Sequence, residues 1–274
     1  MKKAKIILAA ALALLLLAAC GKQSPQYANL TDDATRQEVA EALLAHGVSQ
    51  PQVDTLLTWS ADFNAAVPAG TLPEGFAALP ENGADYSGVF LDDAASTYDY
   101  LQWLNCRLTA FQLVKDQLHT AGNGNDLDIW LMFDIEAIDT LPQYQLTEEE
   151  RANFVTLFNQ VDVSGASSVE EHEEKIQAAW QQRDIQLAGD GLSLICVYLH
   201  APEDQVRFVG HTGVLLETAQ ELLFVEKWGP AAPFQVTRFP DRAALKQYLL
   251  ARPDLYGDET ELAPIVTENG VALA

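Results

Sequence analysis

Near residue 190 the spacing of the apolar residues changes, and that change restricts the fold of this 274-residue chain more than any other feature. Before it, the apolar positions recur at helical intervals. Val39, Leu43 and Leu44 follow Leu30-Thr31-Asp32 and stop at Gly47; Val53, Leu56, Leu57 and Phe63 follow Ser49-Gln50-Pro51. Leu104, Leu108, Phe111, Val114 and Leu118 form a third helical stripe. A fourth begins at Thr147 with Phe154, Leu157 and Phe158, and a fifth spans Val169–Arg183. Beyond the change, Leu192–Leu199 is a near-continuous apolar run of the kind found in buried strands. Val206–Leu216 and Leu222–Trp228 flank a short polar connection and read as a hairpin, and Phe234–Phe239 reads as a fourth strand. Asp241 then caps a closing helix that runs through Leu250. Helices first and strands later predict an α+β fold, a helical N-terminal half packed on a C-terminal antiparallel sheet, with residues 27–274 as one domain.

Apolar residues make up 49% of the chain and charged ones 20%, enough for a packed core. Acids outnumber bases 39 to 16, for a net charge of -23. Such a field repels a phosphate backbone, which excludes nucleic acid as a partner. It also repels an anionic lipid surface, so membrane attachment has to be covalent or hydrophobic.

The first residues supply that attachment. Lys2, Lys3 and Lys5 precede Ile6–Ala19, an uncharged run of Ile, Leu and Ala that is too short to span a bilayer and right for a signal peptide. It ends in Leu17-Ala18-Ala19-Cys20-Gly21. The segment resembles the lipobox of bacterial lipoproteins, in which the cysteine is lipidated and becomes the new N-terminus. On that reading residues 1–19 are removed, lipidated Cys20 anchors the protein outside the cell membrane, and residues 20–26 form a tether.

Three residues carry candidate chemistry. Asn105-Cys106-Arg107 lies where the third helical stripe begins. With Asn105 as N-cap, Cys106 is the first helical residue, where free N–H groups, the helix dipole and Arg107 favour a nucleophilic thiolate. A competing start at Ser96-Thr97-Tyr98-Asp99 would run the helix through Cys106 and bury it as a core residue. His211 sits on a strand between Gly210 and Gly213, which leaves its ring uncrowded. If the hairpin turns between Ala219 and Gln220, Glu217 opposes Leu222 and Glu226 falls diagonally beside His211 on one face. A carboxylate there would orient the imidazole and stabilise its protonated form. A one-residue slip would separate them.

A thiol at a helix start, then a histidine on a later strand, then a polar group on the next strand resembles papain-like thiol hydrolases. That resemblance implies Cys106 as nucleophile, His211 as base and Glu226 as orienter, with the Cys106 N–H and one of Asn105, Gln102 or Tyr100 facing the oxyanion. Asn105-Cys106-Arg107 with Phe208–Leu216 and Leu223–Lys227 also resembles a bacterial lipoprotein family known as a domain of unknown function. Two functions follow as expectations. One is a lipid-anchored peptidase or amidase acting on peptides or cell-wall peptides. The other is a non-catalytic surface lipoprotein that binds a peptide or envelope component in the same cleft.

The remaining polar clusters read as structural. Glu170-Glu171-His172-Glu173-Glu174 is a solvated acidic face on a helix with Ile176 and Trp180 inward. Asn123, Asn125, Asp126 and Asp128 lack the glycine and terminal glutamate of a calcium loop and read as a polar turn. Asp134, Glu136 and Asp139 show no metal spacing with a histidine, so neither metal nor cofactor is expected. Cys196 reads as a core residue, with a Cys106–Cys196 disulfide as the alternative in an exported protein.

Overall fold

The structure, a computed structural model, describes residues 24–89, 91, 98–255 and 257–273. Cys20, Ser96 and Thr97 lie outside the described residues. The chain is mixed α/β, with seven α-helices among the described residues: α1 (Asp33–Ala45), α2 (Gln50–Ala66), α3 (Cys106–Val114), α4 (Met132–Thr140), α5 (Glu148–Phe158), α6 (Val169–Gln182) and α7 (Arg242–Ala251). The short strands are β1 (Gln26–Ala28), β2 (Ala77–Ala78), β3 (Leu118–His119), β4 (Val161–Asp162) and β5 (Gln186–Leu187). The long ones are β6 (Leu192–Ala201), β7 (Val206–Glu217), β8 (Leu222–Lys227) and β9 (Phe234–Phe239), followed by β10 (Ile265–Glu268) and β11 (Val271–Ala272).

Local chemistry explains where the helices start. Asp32 accepts from the Thr35 N–H at 2.9 Å, and Asp241 accepts from the Ala244 N–H at 2.9 Å. Thr147 with Glu150 and Ser168 with Glu171 are reciprocal capping boxes. The third stripe is shorter than its apolar spacing predicts. Helix α3 stops at Val114, and Leu118 pairs as a strand with Leu187. Helix α4 and strands β10 and β11 do not stand out in the sequence. Gln26, assigned by composition to the tether, is the first residue of β1.

The main sheet runs β11-β10-β6-β7-β8-β9-β1-β2, with β4 also pairing β7, and every described pairing is antiparallel. Both faces are covered. On one, Cys196, Tyr198, Val214, Leu216, Leu223 and Val225 join the core beneath α2, α3, α5 and α6. On the other, Ile195, Val197, Leu215 and Phe224 pack on Leu245, Tyr248 and Leu249 of α7. A strand buried on both faces needs apolar residues at both parities, so β6 to β8 read as continuous runs. The closing helix that the sequence predicts after Asp241 is α7, and it adds a layer on the far side of the sheet.

The acidic run on α6 also needs correction at one residue. His172 is 1% exposed and points inward, where its Nδ1 accepts from Nε of fully buried Arg207 at 2.9 Å. His172 also hydrogen-bonds the backbone of Ala166. Burial, and then the Arg207 cation, hold the His172 pKa below its ordinary value. The unfolded chain takes up this proton near pH 6.5 and the folded chain does not. Stability from this site is therefore complete above that pH and falls as the pH drops towards the folded value. We expect the melting temperature to fall between pH 7 and pH 5. The fall should be smaller in His172→Asn, whose amide oxygen can accept from Arg207 without titrating. His172→Ala should lose about 1.5–3 kcal/mol at pH 7.5 by leaving a charged donor unpaired. Thermal unfolding across pH checks both; parallel curves for wild type and His172→Asn would contradict the assignment.

Candidate functional site

Asn105 is the N-cap of α3. Its backbone is extended and its Oδ1 accepts from the Leu108 N–H at 3.0 Å, so Cys106 occupies the first helical position. The upstream 3-10 turn, Asp99–Gln102, ends before it. The helix therefore does not run through Cys106 from the Ser96 side. One buried carboxylate then fixes both neighbours of the thiol. Asp134 of α4 accepts from Asn105 Nδ2 at 2.7 Å and from Arg107 Nε and Nη2 at 3.2 and 2.6 Å. Arg107 Nη1 also donates to the Val209 carbonyl at 2.9 Å, tying α3 to β7. The Asn-Cys-Arg triplet thus has a physical reason: a cap, a thiol and a clamp held by one group. Sequence reasoning missed Asp134 because α4 carries no clear stripe.

His211 lies beside an irregularity in β7. Val197 pairs with His211, but Tyr198 pairs with Val209, so Gly210 is the extra residue of a bulge. A Cβ at Gly210 would lie 2.4 Å from Leu199 Cδ1, and one at Gly213 would lie 2.5 Å from the Phe224 ring. Neither position accepts a side chain without displacing a packed neighbour. The β7–β8 pairing is the predicted one, with Glu217 opposite Leu222, and it ends at Gly213 opposite Glu226. His211 and Glu226 are therefore diagonal on one face, and His211 Nε2 meets Glu226 Oε2 at 2.7 Å.

At the end of that pairing the thiol enters. Cys106 hydrogen-bonds the His211 side chain and the backbone of Thr212. Since Nε2 faces Glu226, Nδ1 is the nitrogen left for sulfur. The structure thus brings Cys106, His211 and Glu226 together in series. The expected open cleft is corrected: the three are 8%, 2% and 0% exposed.

A network around Glu226 that was not legible in the sequence explains how a carboxylate survives there. Arg252, just past α7, donates to Oε2 at 2.9 Å; Tyr248 and Gln235 donate to Oε1 at 2.6 and 3.2 Å. Arg252 Nη1 also lies 3.1 Å from His211 Nε2, since both groups converge on one oxygen. The guanidinium stacks on Trp228 at 3.6 Å and is held on its other edge by Asp254.

The electrostatics follow from these contacts. Burial raises the Glu226 pKa, but the His211 bond and charge, Arg252 and Tyr248 outweigh it, and the net shift is downward. Burial and Arg252 lower that of His211, yet the bonds to Cys106 and Glu226 leave it raised. Burial raises that of Cys106, while the His211 bond, the imidazolium and Arg107 bring it below the ordinary thiol value. Buried Lys227 lies on the thiol's side of the sheet. Burial pushes its pKa down to about 7, and the carbonyls of Gly229, Pro230 and Ala232 hold its ammonium against the rings of Phe63 and Phe234.

The other sequence candidates divide clearly. Asn105 is spent on its cap and on Asp134, so it positions the thiol rather than facing an oxyanion. The Tyr100 hydroxyl is spent on Asp62 at 2.5 Å. Gln102 has an exposed side chain. Cys196 and Cys106 are both free thiols, which removes the disulfide alternative. Asp128 closes the predicted polar turn, where its buried carboxylate accepts from Asn159, Gln160 and Trp130. No group of three or more His, Cys, Asp or Glu among the described residues is arranged to hold a metal ion.

A family model described as "Domain of unknown function (DUF4300)" matches residues 26–273. No curated protein and no solved structure matches the chain.

The two free thiols should behave oppositely. Cys106 should react with iodoacetamide at pH 6 at least about tenfold faster than a free thiol of ordinary pKa, with a rate that falls as His211 is replaced by Ala. Cys196, pushed up to about 12 by burial, should stay unmodified in the folded protein. Mass spectrometry of the alkylated chain checks both; a Cys106 that reacts only above pH 8 would contradict the paired state.

Proposed function

The chain belongs to the DUF4300 family, and on that premise we propose that it is a thiol hydrolase of papain-like architecture, anchored outside the cell membrane through lipidated Cys20, that cleaves amide bonds of peptides or cell-wall peptides. One observation carries the reading: a thiol at a helix N-terminus is hydrogen-bonded to a histidine whose other nitrogen is held by a buried carboxylate. The order of elements supports it, since the helix bearing the thiol precedes the antiparallel strands bearing the other two groups and packs on them.

The chemistry follows from the geometry. The Cys106 thiolate attacks the carbonyl carbon, and the charge moves to oxygen near the first turn of α3. There the Cys106 N–H is one donor and the exposed Gln102 amide is available as the second. The His211 imidazolium gives its proton to the leaving amine as the C–N bond breaks, leaving a thioester. His211, now neutral, takes a proton from water as the water attacks, and the acid leaves with thiolate restored. Glu226 keeps the ring oriented throughout.

The second reading, a non-catalytic binder of a peptide or envelope component, is favoured by the burial of all three groups. Turnover separates the two. On a peptide-amide library, Cys106→Ser and His211→Ala should each reduce kcat by on the order of 10³-fold or more, the first with unchanged thermal stability and the second with a lower melting temperature because it removes a partner of buried Glu226, and Glu226→Gln should reduce kcat less. Turnover unaffected by Cys106→Ser would remove the hydrolase reading. For the anchor, Cys20→Ala should release the protein from membranes or block its processing, read by fractionation and intact mass. Membrane-bound Cys20→Ala protein cleaved at the same place would contradict it.

A further inference from the structure

An open cavity of about 620 Å³ lies beside the Glu226 network, between residues 82–89, the loop after β8 and the residues after α7. The hydrolase chemistry above does not use it. Its walls include Tyr86 and Trp228, packed edge to face with centroids 5.2 Å apart, and apolar groups from Val89 and Pro230. Asp85 and Asp254 add two carboxylates. No lysine, arginine or histidine lines it among the described residues.

Three lining residues touch groups that in turn touch Glu226. Tyr86 donates its hydroxyl proton to Gln235 Oε1 at 2.7 Å, and Gln235 Nε2 reaches Glu226 Oε1. Trp228 carries the Arg252 guanidinium on its ring, and Asp254 binds the same guanidinium at 2.6 Å. The cavity wall and the support of His211 are therefore one hydrogen-bonded and stacked unit. The basic groups nearest the wall are already engaged. Arg252 is taken by Glu226, Asp254 and the Trp228 carbonyl, and the Lys227 ammonium is turned into its own loop carbonyls.

An aromatic and aliphatic cavity with carboxylates and no cation is complementary to a positive charge on an apolar stem. We propose that it is a binding site for a primary amine on an aliphatic stem, the lysine type of side chain, presented by a peptide. Its identity as a substrate subsite rests on the hydrolase reading; binding of the amine does not. The stem lies against Val89, Pro230 and the aromatic rings, and the ammonium meets Asp85, with Asp254, whose two oxygens Arg252 already binds, at the cavity's edge. The net charge of -23 draws such a ligand in and repels an acidic one.

Calorimetry on the full chain carrying Cys106→Ala, which cannot turn over substrate, tests the site with three acetylated tripeptide amides. These are Ala-Lys-Ala, the same peptide with norleucine, and the same peptide with glutamate. The lysine peptide should bind about tenfold more tightly than the norleucine one, and the glutamate peptide should bind more weakly still. Ala231→Trp, which fills the cavity from an exposed loop position, should weaken all three. Asp85→Lys, at an exposed residue that leaves the fold intact, should reverse the preference towards glutamate. Equal affinities for lysine and norleucine, or a preference that survives Asp85→Lys, would overturn the proposal. Lysine preference without turnover in the native protein would leave the site standing and remove the hydrolase. Cys106-dependent turnover with no lysine preference would do the reverse.

Discussion

Glu226 is the charge around which this fold is arranged. A fully buried carboxylate is tolerated only when partners replace its lost water, and here they come from three separate elements. His211 comes from β7, Gln235 from β9, and Tyr248 and Arg252 from α7 and its end. Each partner holds its own element in place. The hairpin register must bring His211 diagonal to Glu226, and α7 must lie close enough to the far face to deliver Tyr248 and Arg252. Removing one partner of such a buried pair typically costs about 3–5 kcal/mol, because the other charge is left exposed to the low-dielectric interior. The α7 layer is therefore needed both for burial and for holding the charge behind the histidine.

A second carboxylate does the same for the thiol. Asp134 gathers Asn105 and Arg107, and Arg107 reaches on to the Val209 carbonyl just before the Gly210 bulge. The sulfur and the imidazole are thus set by two independent frameworks that meet where the β7–β8 pairing ends. There, one residue beyond the last β7–β8 pair, the Thr212 backbone hydrogen-bonds the sulfur. The bulge, the glycine at 213 and the end of the pairing are one feature: the sheet opens enough for a helix on one face to contact a histidine on the other.

Much of this was legible, and for a definable reason. Caps such as Asp32, Thr147 and Asp241 act within three residues of themselves, so a linear reading finds them. The β7–β8 register also follows from a short loop, since Glu217 opposite Leu222 fixes every pair behind it. By contrast, α4 has exposed Met132 and Phe133 beside buried Asp134, a pattern that gives no clean apolar face. His172 sits among four glutamates and reads as solvated, yet it is the acceptor for an arginine 35 residues away. Short-range chemistry was visible; partners distant in sequence were not.

The sequence by itself determined the helical first part, the strand-rich second part, the Asn105 cap that puts Cys106 at a helix start, and the parity that puts His211 and Glu226 on one face. These depend on periods of 3.6 and 2 and on neighbours a few residues apart. Only the tertiary structure decided that the thiol reaches that histidine, that Asp134 and Arg252 hold the two halves of the site, and that α7 closes the sheet's second face. Those contacts join residues 26 to 105 positions apart, and no local spacing encodes which distant side chain arrives. The decision comes from packing: a buried charge excludes every arrangement in which its partners are missing.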